Sequence, residues 1–199
     1  MKNYCTIYLT RHGETEWNEK KIVQGQSDIP LNEKGKLQAK QLGDELKETH
    51  FDAVFSSDLL RAKDSAEIIV SGKQLKVETT NALRERFFGR FEGRPLEEMR
   101  KTLGETMVVP KAKQEKLKLD DVENDEDVMS RLIPFMKKVA TINLGKNVLM
   151  VTHGGLLRAF LSYVGVEVPK YSEKPLKNTG YLIIESDGVG FEIKEERLF

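Results

Sequence analysis

Two histidines sit in the same local setting at opposite ends of the chain. Tyr8-Leu-Thr-Arg-His-Gly13 and Met150-Val-Thr-His-Gly-Gly155 each end an apolar, strand-forming run with His followed by Gly. In open α/β sheets, ligands bind outside the carboxyl ends of the strands, near a switch in strand order. If the two strands are neighbours, His12 and His153 face each other across one pocket. The glycines let backbone amides approach a ligand, and a helix opening at Gly154-Gly155 turns its positive end toward it. Arg11 precedes the first histidine and carries a planar fork suited to phosphate oxygens. Arg61 lies just past another strand, in Phe55-Ser-Ser-Asp-Leu-Leu-Arg-Ala62, and Glu85, in Leu83-Arg-Glu-Arg-Phe-Phe-Gly89, is the carboxylate placed to reach the same rim. Each has a plainer reading alone: a His after a strand is usually a satisfied structural residue, and Arg61 would be a surface helix arginine. The paired pattern, with a cation beside it, points instead to a site for a phosphate-like anion.

The elements that must carry these residues alternate between strand and helix. Tyr4–Thr10, Asp52–Ser56, Leu75–Thr79 and Asn147–Thr152 read as strands. Gly35, Ala39, Leu42 and Leu46 mark one helical face, and Leu59, Ala62, Ala66 and Ile69 another, with Asp58 as its N-cap. A short helix follows Pro95, and Val128, Leu132, Phe135, Val139 and Ile142 give the cleanest amphipathic helix. Tyr181–Glu185 and Phe191–Lys194 close the chain as strands around Asp187-Gly188. Such alternation predicts a three-layer α/β/α fold with a mostly parallel sheet and an antiparallel edge strand.

Composition bounds the rest. A chain of 199 residues fits one domain, 1–199, with a core large enough to need no staple. Thirty-two Lys and Arg balance 32 Asp and Glu, which argues against a general nucleic-acid binder. Cys5 is the only cysteine, so no intrachain disulfide can form. The start of the chain has no separate apolar segment and cleavage site, and no apolar run approaches the roughly 20 residues of a membrane span. A cytoplasmic, soluble protein is expected. Phosphate-loop, dinucleotide and serine-elbow motifs are missing, and His12, His50 and His153 lie far apart in sequence, so no metal site is expected. Cys5 and Arg11 have the C-x5-R spacing of cysteine phosphatases, but the intervening Thr-Ile-Tyr-Leu-Thr is a strand run. It would hold the two roughly 20 Å apart at about 3.3 Å per residue.

Read together, the motifs resemble those of the histidine phosphatase superfamily, which includes the cofactor-dependent phosphoglycerate mutases. The resemblance rests on Arg11-His12-Gly13-Glu14-Thr15 with Trp17-Asn18, then Gln24-Gly25 with Asp28, Pro30-Leu31 and Gly35. Ser56-Ser57-Asp58-Leu59 with Arg61-Ala62 follows, then Leu83-Arg84-Glu85-Arg86 with Gly89 and Glu92-Gly93. Val151-Thr152-His153-Gly154-Gly155 and Asn178-Thr179-Gly180 complete it. It implies a phosphoglycerate mutase-like fold, no cofactor, and a small phosphorylated metabolite as partner, with neither nucleic acid nor membrane and a monomer or homodimer as the assembly. His12 would be the nucleophile, forming a phosphohistidine. Arg11, Arg61 and His153 would surround the phosphoryl group, and Asn18, Gln24, Gly25 and the Gly154 amide would add contacts. Glu85 would protonate the leaving oxygen and then take a proton from water.

The same motifs serve hydrolysis and isomerisation. In the mutases a lysine lies eleven residues after the acid Glu and an Arg-Arg pair follows in an inserted lid. Here that position is Leu96, and residues 104–121 hold no Arg-Arg. The likeness is strongest to broad-specificity sugar- and glycerate-phosphate phosphatases and to small fructose-2,6-bisphosphatases; a mutase and a non-catalytic phosphate binder are the alternatives. A cap or flap is expected around residues 90–125. Within it, Lys111, Lys113, Lys116 and Lys118 read either as a solvated loop before an acidic helix start or as a flap drawing in an anionic substrate. Arg86 and that flap are expected to meet a second phosphate or a carboxylate.

Overall fold

The computed structural model describes residues 3–199; Met1 and Lys2 lie outside the described residues. Strand β1 (Cys5–Arg11) leads through a one-turn helix α1 (Glu16–Glu19) to α2 (Glu33–Glu45), β2 (Ala53–Ser57), α3 (Leu60–Ile69) and β3 (Val77–Thr80). Two 3-10 turns precede α4 (Leu96–Leu103), α5 (Lys111–Leu117) and the long α6 (Asp125–Ile142). Then come β4 (Asn147–Thr152), α7 (Gly154–Tyr163), β5 (Tyr181–Ser186) and β6 (Glu192–Glu196). The six strands form one sheet in the order β3-β2-β4-β1-β5-β6. β3, β2, β4 and β1 are parallel neighbours, β5 runs antiparallel to β1, and β6 runs antiparallel to β5.

Side-chain alternation along the central strands builds a core on each face. Cys5, Ile7 and Leu9 of β1 join Val148 and Met150 of β4 under α6 and α7. Tyr8 of β1 joins Leu149 and Val151 of β4 against α2 and α3. Cys5 is buried in the first of these cores, its thiol pushed up to about 11 by burial; it shares one extended strand with Arg11. A third apolar cluster, which includes Val23, Phe88, Met99, Leu103, Met107 and Val122, underlies the segment carrying α4 and α5.

Several local expectations shift. Asp58 does not cap α3. It forms a two-pronged ion pair with Arg84 (2.6 and 2.7 Å), and the Leu60 amide donates instead to Asp28 Oδ1. Ile142 ends α6 65% exposed; Asn143 is buried beyond it, its Nδ2 donating to the Val139 carbonyl. The lysine-rich stretch is helical rather than loop, with Lys111, Lys116 and Lys118 exposed. Lys113 turns inward to the Leu103 and Val108 carbonyls, capping chain ends inside this segment.

The register of β1 on β4 pairs Arg11 with Thr152, so both strands end at one level. The chain leaving β1 is then pinned against α2 by two glycines. A Cβ on Gly13 would lie 2.3 Å from the Gly35 carbonyl oxygen, and one on Gly35 would lie 2.0 Å from that of Glu14. These are backbone contacts that no rotamer change can relieve. Gly35→Ala should therefore lower the unfolding free energy by about 1–3 kcal/mol, as overpacking does. Helix propensity alone would raise it by about 1 kcal/mol. Denaturant unfolding of the variant gives the sign directly, and an unchanged or raised stability would mean that the turn and helix are not in this contact.

Candidate active site

His12 leaves the end of β1 with its amide donating to the Thr152 carbonyl at 3.0 Å, which extends the β1–β4 ladder by one residue. Its Nδ1 lies 2.6 Å from the Gly13 carbonyl oxygen. A carbonyl only accepts, so Nδ1 carries the hydrogen and Nε2 keeps its lone pair. The next amide, of Gly13, donates to Ser65 Oγ, which donates to the Arg61 carbonyl. That chain ties the turn after His12 to α3. His153 follows β4 directly, and its ring centroid lies 5.1 Å from that of His12. It is fully buried, and neither ring nitrogen has a hydrogen-bond partner. Burial, reinforced by the Arg61 and Arg11 guanidiniums, holds both imidazoles well below the ordinary histidine value, so both are neutral.

Two guanidiniums approach the pair, each held by carbonyls rather than carboxylates. Arg11 Nη1 donates to the Leu176 carbonyl at 2.5 Å, and its Nε, beside Gly154, is buried without a partner. Arg61 is fully buried on α3; its Nη2 and Nη1 donate to the carbonyls of Gly25 and Ser27 at 2.7 and 2.8 Å. Its Nε is also unpartnered, and burial draws the guanidinium down to about 10, still cationic at neutral pH. Asn18 is oriented by α1: its Oδ1 accepts from the Thr15 amide and hydroxyl (3.1 and 3.2 Å) and, at 3.5 Å, from Asn178 Nδ2. This leaves the Asn18 Nδ2 donor free for a ligand.

Glu85 is held at the N-terminus of α7. Its Oε1 accepts from the Arg86 and Leu156 amides at 2.7 and 3.0 Å, and its Oε2 from the Gly155 amide at 2.9 Å. Gly155 is required for this approach, since a Cβ there would lie 2.6 Å from Glu85 Oε1. Arg131 of α6 supports the segment from behind, donating to the carbonyls of Ala82, Arg84 and Glu85.

Arg11, His12, Asn18, Gln24, Gly25, Arg61, Glu85 and Gly154 all line one pocket. Arg86 does not. Successive residues of an extended segment point opposite ways, so with Glu85 turned inward the buried Arg86 side chain points out, to Asp125 and the Glu123 carbonyl. Its expected substrate contact is corrected to a tie between the acid segment and the start of α6. None of the four lysines between 111 and 118 reaches the pocket either. Lys21, Arg158 and Tyr171 line it instead. Arg158 sits in an apolar helix stripe and Tyr171 in an unpatterned loop, so neither carried a sequence signal. Among the described residues, no cluster of three or more His, Cys, Asp or Glu is arranged to hold a metal ion, and no helix is long and apolar enough to cross a membrane.

The two neutral imidazoles make stability depend on pH. Their folded values lie below the unfolded value of 6.5, so below pH 6.5 the unfolded chain binds more protons. Stability is then lost as pH falls. Between pH 6.5 and 5 the unfolding free energy should drop by up to about 2.7 kcal/mol per pH unit, one proton per histidine. Inorganic phosphate should flatten the slope, and His153→Asn should halve it. Urea unfolding at stepped pH measures this, and a slope indifferent to His153→Asn would contradict the neutral-histidine site.

Comparison with known proteins agrees with this geometry. The family model for the histidine phosphatase superfamily (branch 1) matches residues 7–197. A Bacillus subtilis strain 168 protein named uncharacterized phosphatase PhoE is 33% identical over 189 residues, covering 95% of this chain and 92% of its own. A Saccharomyces cerevisiae protein named a broad-specificity phosphatase is 32% identical over 191 residues, 92% of this chain and 80% of its own. Other relatives carry phosphoglycerate mutase names. Among solved structures, Bacillus stearothermophilus YhfR superposes with a TM-score of 0.82 at 30% identity over 98% of each chain. The paired strand-end histidines, the arginines beside them and a match over nearly the whole chain agree: this protein belongs to the histidine phosphatase superfamily.

Proposed function

We propose that the protein is a metal-independent phosphomonoester hydrolase working through a phosphohistidine on His12. The observation that carries this reading is the state of that ring: Nδ1–H is bound to the Gly13 carbonyl, and Nε2 is unprotonated beside two guanidiniums. Nε2 attacks phosphorus as the bond from phosphorus to the leaving oxygen breaks. Arg11, Arg61, Asn18 and the Gly154 amide bear on the equatorial oxygens, where phosphoryl transfer concentrates charge. His153, neutral when the site is empty, gains a partner in a bound phosphate. Glu85 gives its proton to the leaving oxygen, then takes one from water as that water attacks phosphorus and the bond to Nε2 breaks. Oε1 already accepts two amides and Oε2 only one, which favours Oε2 as the oxygen that carries the proton.

Hydrolysis is preferred over isomerisation because Leu96 lines the pocket at the position where mutases carry a lysine. The substrates implied by the resemblance are small sugar and glycerate phosphates. The wall beyond the phosphate site is largely apolar, with Ile22, Phe88, Leu96, Met99 and Met107, while Lys21, Tyr171 and Arg158 supply its polar groups. Leaving groups with an apolar face gain contact there that a polyhydroxylated sugar does not.

Phosphate release in EDTA from a panel of aryl, glycerate and sugar phosphates tests the reading, with 3-phosphoglycerate plus 2,3-bisphosphoglycerate scored for isomerisation. Release that vanishes in His12→Ala, with label trapped on His12 in the wild type, is the expected result. Release surviving that substitution, or isomerisation with little release, would overturn it. Glu85→Gln should lower kcat/KM by about 10²–10⁴-fold for alkyl phosphates and much less for p-nitrophenyl phosphate, whose leaving group departs unprotonated. Equal losses in kcat/KM on both substrates would remove Glu85 from proton transfer to the leaving oxygen.

A further inference from the structure

Glu92 touches no reacting group, yet its carboxylate accepts four hydrogen bonds. Oε1 takes the Gln26 and Phe88 amides, both at 3.0 Å, and Oε2 takes the Ser27 amide at 3.2 Å and the Ser27 hydroxyl at 3.0 Å. The chain folds tightly onto it. Gly25 has φ +52°, and a Cβ there would lie 2.0 Å from Glu92 Oε1. The turn gathered in this way is the one whose Gly25 and Ser27 carbonyls hold the two terminal nitrogens of Arg61. Arg61 has no carboxylate within ion-pair distance among the described residues, so its aim rests on the shape of that turn. Glu92 also attracts the Arg61 cation through space. Through the Phe88 amide it binds the segment that carries Glu85, and Gln26 Nε2 closes the same link by donating to the Glu85 carbonyl at 3.2 Å.

Building on the phosphoryl-transfer reading, we infer that Glu92 is a positioning residue: it sets the 24–27 turn that aims Arg61 and fixes that turn's distance from the segment holding the acid. An amide cannot replace the carboxylate. In Glu92→Gln, one end of the side chain would present N–H groups to donors, and at least the Ser27 amide would lose its acceptor.

Glu92→Gln should melt near the wild type and lower kcat/KM by about 10–100-fold, mainly in kcat, as a displacement of about 1 Å in a binding group does. In an Arg61→Ala background the same substitution should cost less than about threefold, because the effect passes through Arg61. Full additivity in the double variant, or an unchanged kcat/KM in the single one, would overturn the inference. Should Glu92→Gln not fold, Ser27→Ala removes one of the four bonds and keeps the Ser27 carbonyl. It should lower kcat/KM about threefold, only while Arg61 is present, and no change would overturn the inference. The single tryptophan, Trp17, lines the pocket, so its fluorescence follows binding of inorganic phosphate or vanadate without turnover. Coupling of Glu92 to Arg61 is expected in that dissociation constant too. Its absence sinks the positioning role, whereas an intact wild type that binds phosphate and hydrolyses none of the panel sinks the hydrolase reading alone.

Discussion

Two arginines and two imidazoles converge at the ends of two adjacent strands, with one carboxylate among them, and the fold has to hold this set together before any anion arrives. Pairing each arginine with a carboxylate would neutralise the site and leave nothing for a phosphate. The chain uses carbonyls instead. Arg11 rests on Leu176, and Arg61 on Gly25 and Ser27, so each guanidinium is oriented by dipoles and keeps its full charge. The imidazoles meet the same constraint by staying neutral, since burial and the neighbouring cations disfavour a further charge. A site that is cationic yet ordered without ligand is the preorganised environment that phosphoryl transfer requires.

Carbonyl acceptors have a structural cost: they must be presented by chain that approaches closely and turns sharply, and this dictates where glycine occurs. Gly25 occupies a left-handed conformation over the Glu92 carboxylate, Gly155 opens α7 against Glu85, and Gly13 and Gly35 let the turn after His12 touch α2. None of these positions accepts even a methyl group without moving backbone or a buried carboxylate. The pocket is therefore shaped by close contacts at its own glycines, Gly25 and Gly155, and by α2, which contributes no lining residue but packs Gly35 against the turn that follows His12.

How much of this was legible in the sequence follows from how far apart the interacting residues are. His12, His153, Arg11 and Arg61 could be found because each sits at a strand end or just beyond one, where local pattern alone predicts position. Glu85 was reached through its motif. Arg86 was misread because its neighbour decides its direction: with Glu85 turned inward, an extended chain sends Arg86 outward to Asp125. Of the two readings of the lysine-rich stretch, the solvated one holds for Lys111, Lys116 and Lys118, while Lys113 caps carbonyls of its own segment, a direction that charge composition alone does not give. Arg131 had no local signature, and Glu92 entered only as part of the acid motif. Apart from Glu123, eight residues from Arg131, and the Phe88 amide, four from Glu92, their partners lie 46 to 50 and 65 to 66 residues away, so only the folded chain reveals what they hold.

The same separation of tasks bears on why one scaffold supports both water and an alcohol as phosphoryl acceptor. The groups proposed to hold the phosphoryl group belong to strand ends and helix starts built into the sheet, through β1, β4, α3 and α7. The wall that would select the acceptor comes from the segment carrying α4 and from the loop before β5, which supplies Tyr171 and Leu176. That segment has its own apolar cluster, so its surface can change without disturbing the register that sets His12 against His153. At the wall, Leu96 replaces the charge a mutase uses to hold its acceptor. On the proposed reading, that exchange removes one cation that would retain an acceptor hydroxyl after the first transfer, and Lys21 and Arg158 are cations that still line the pocket.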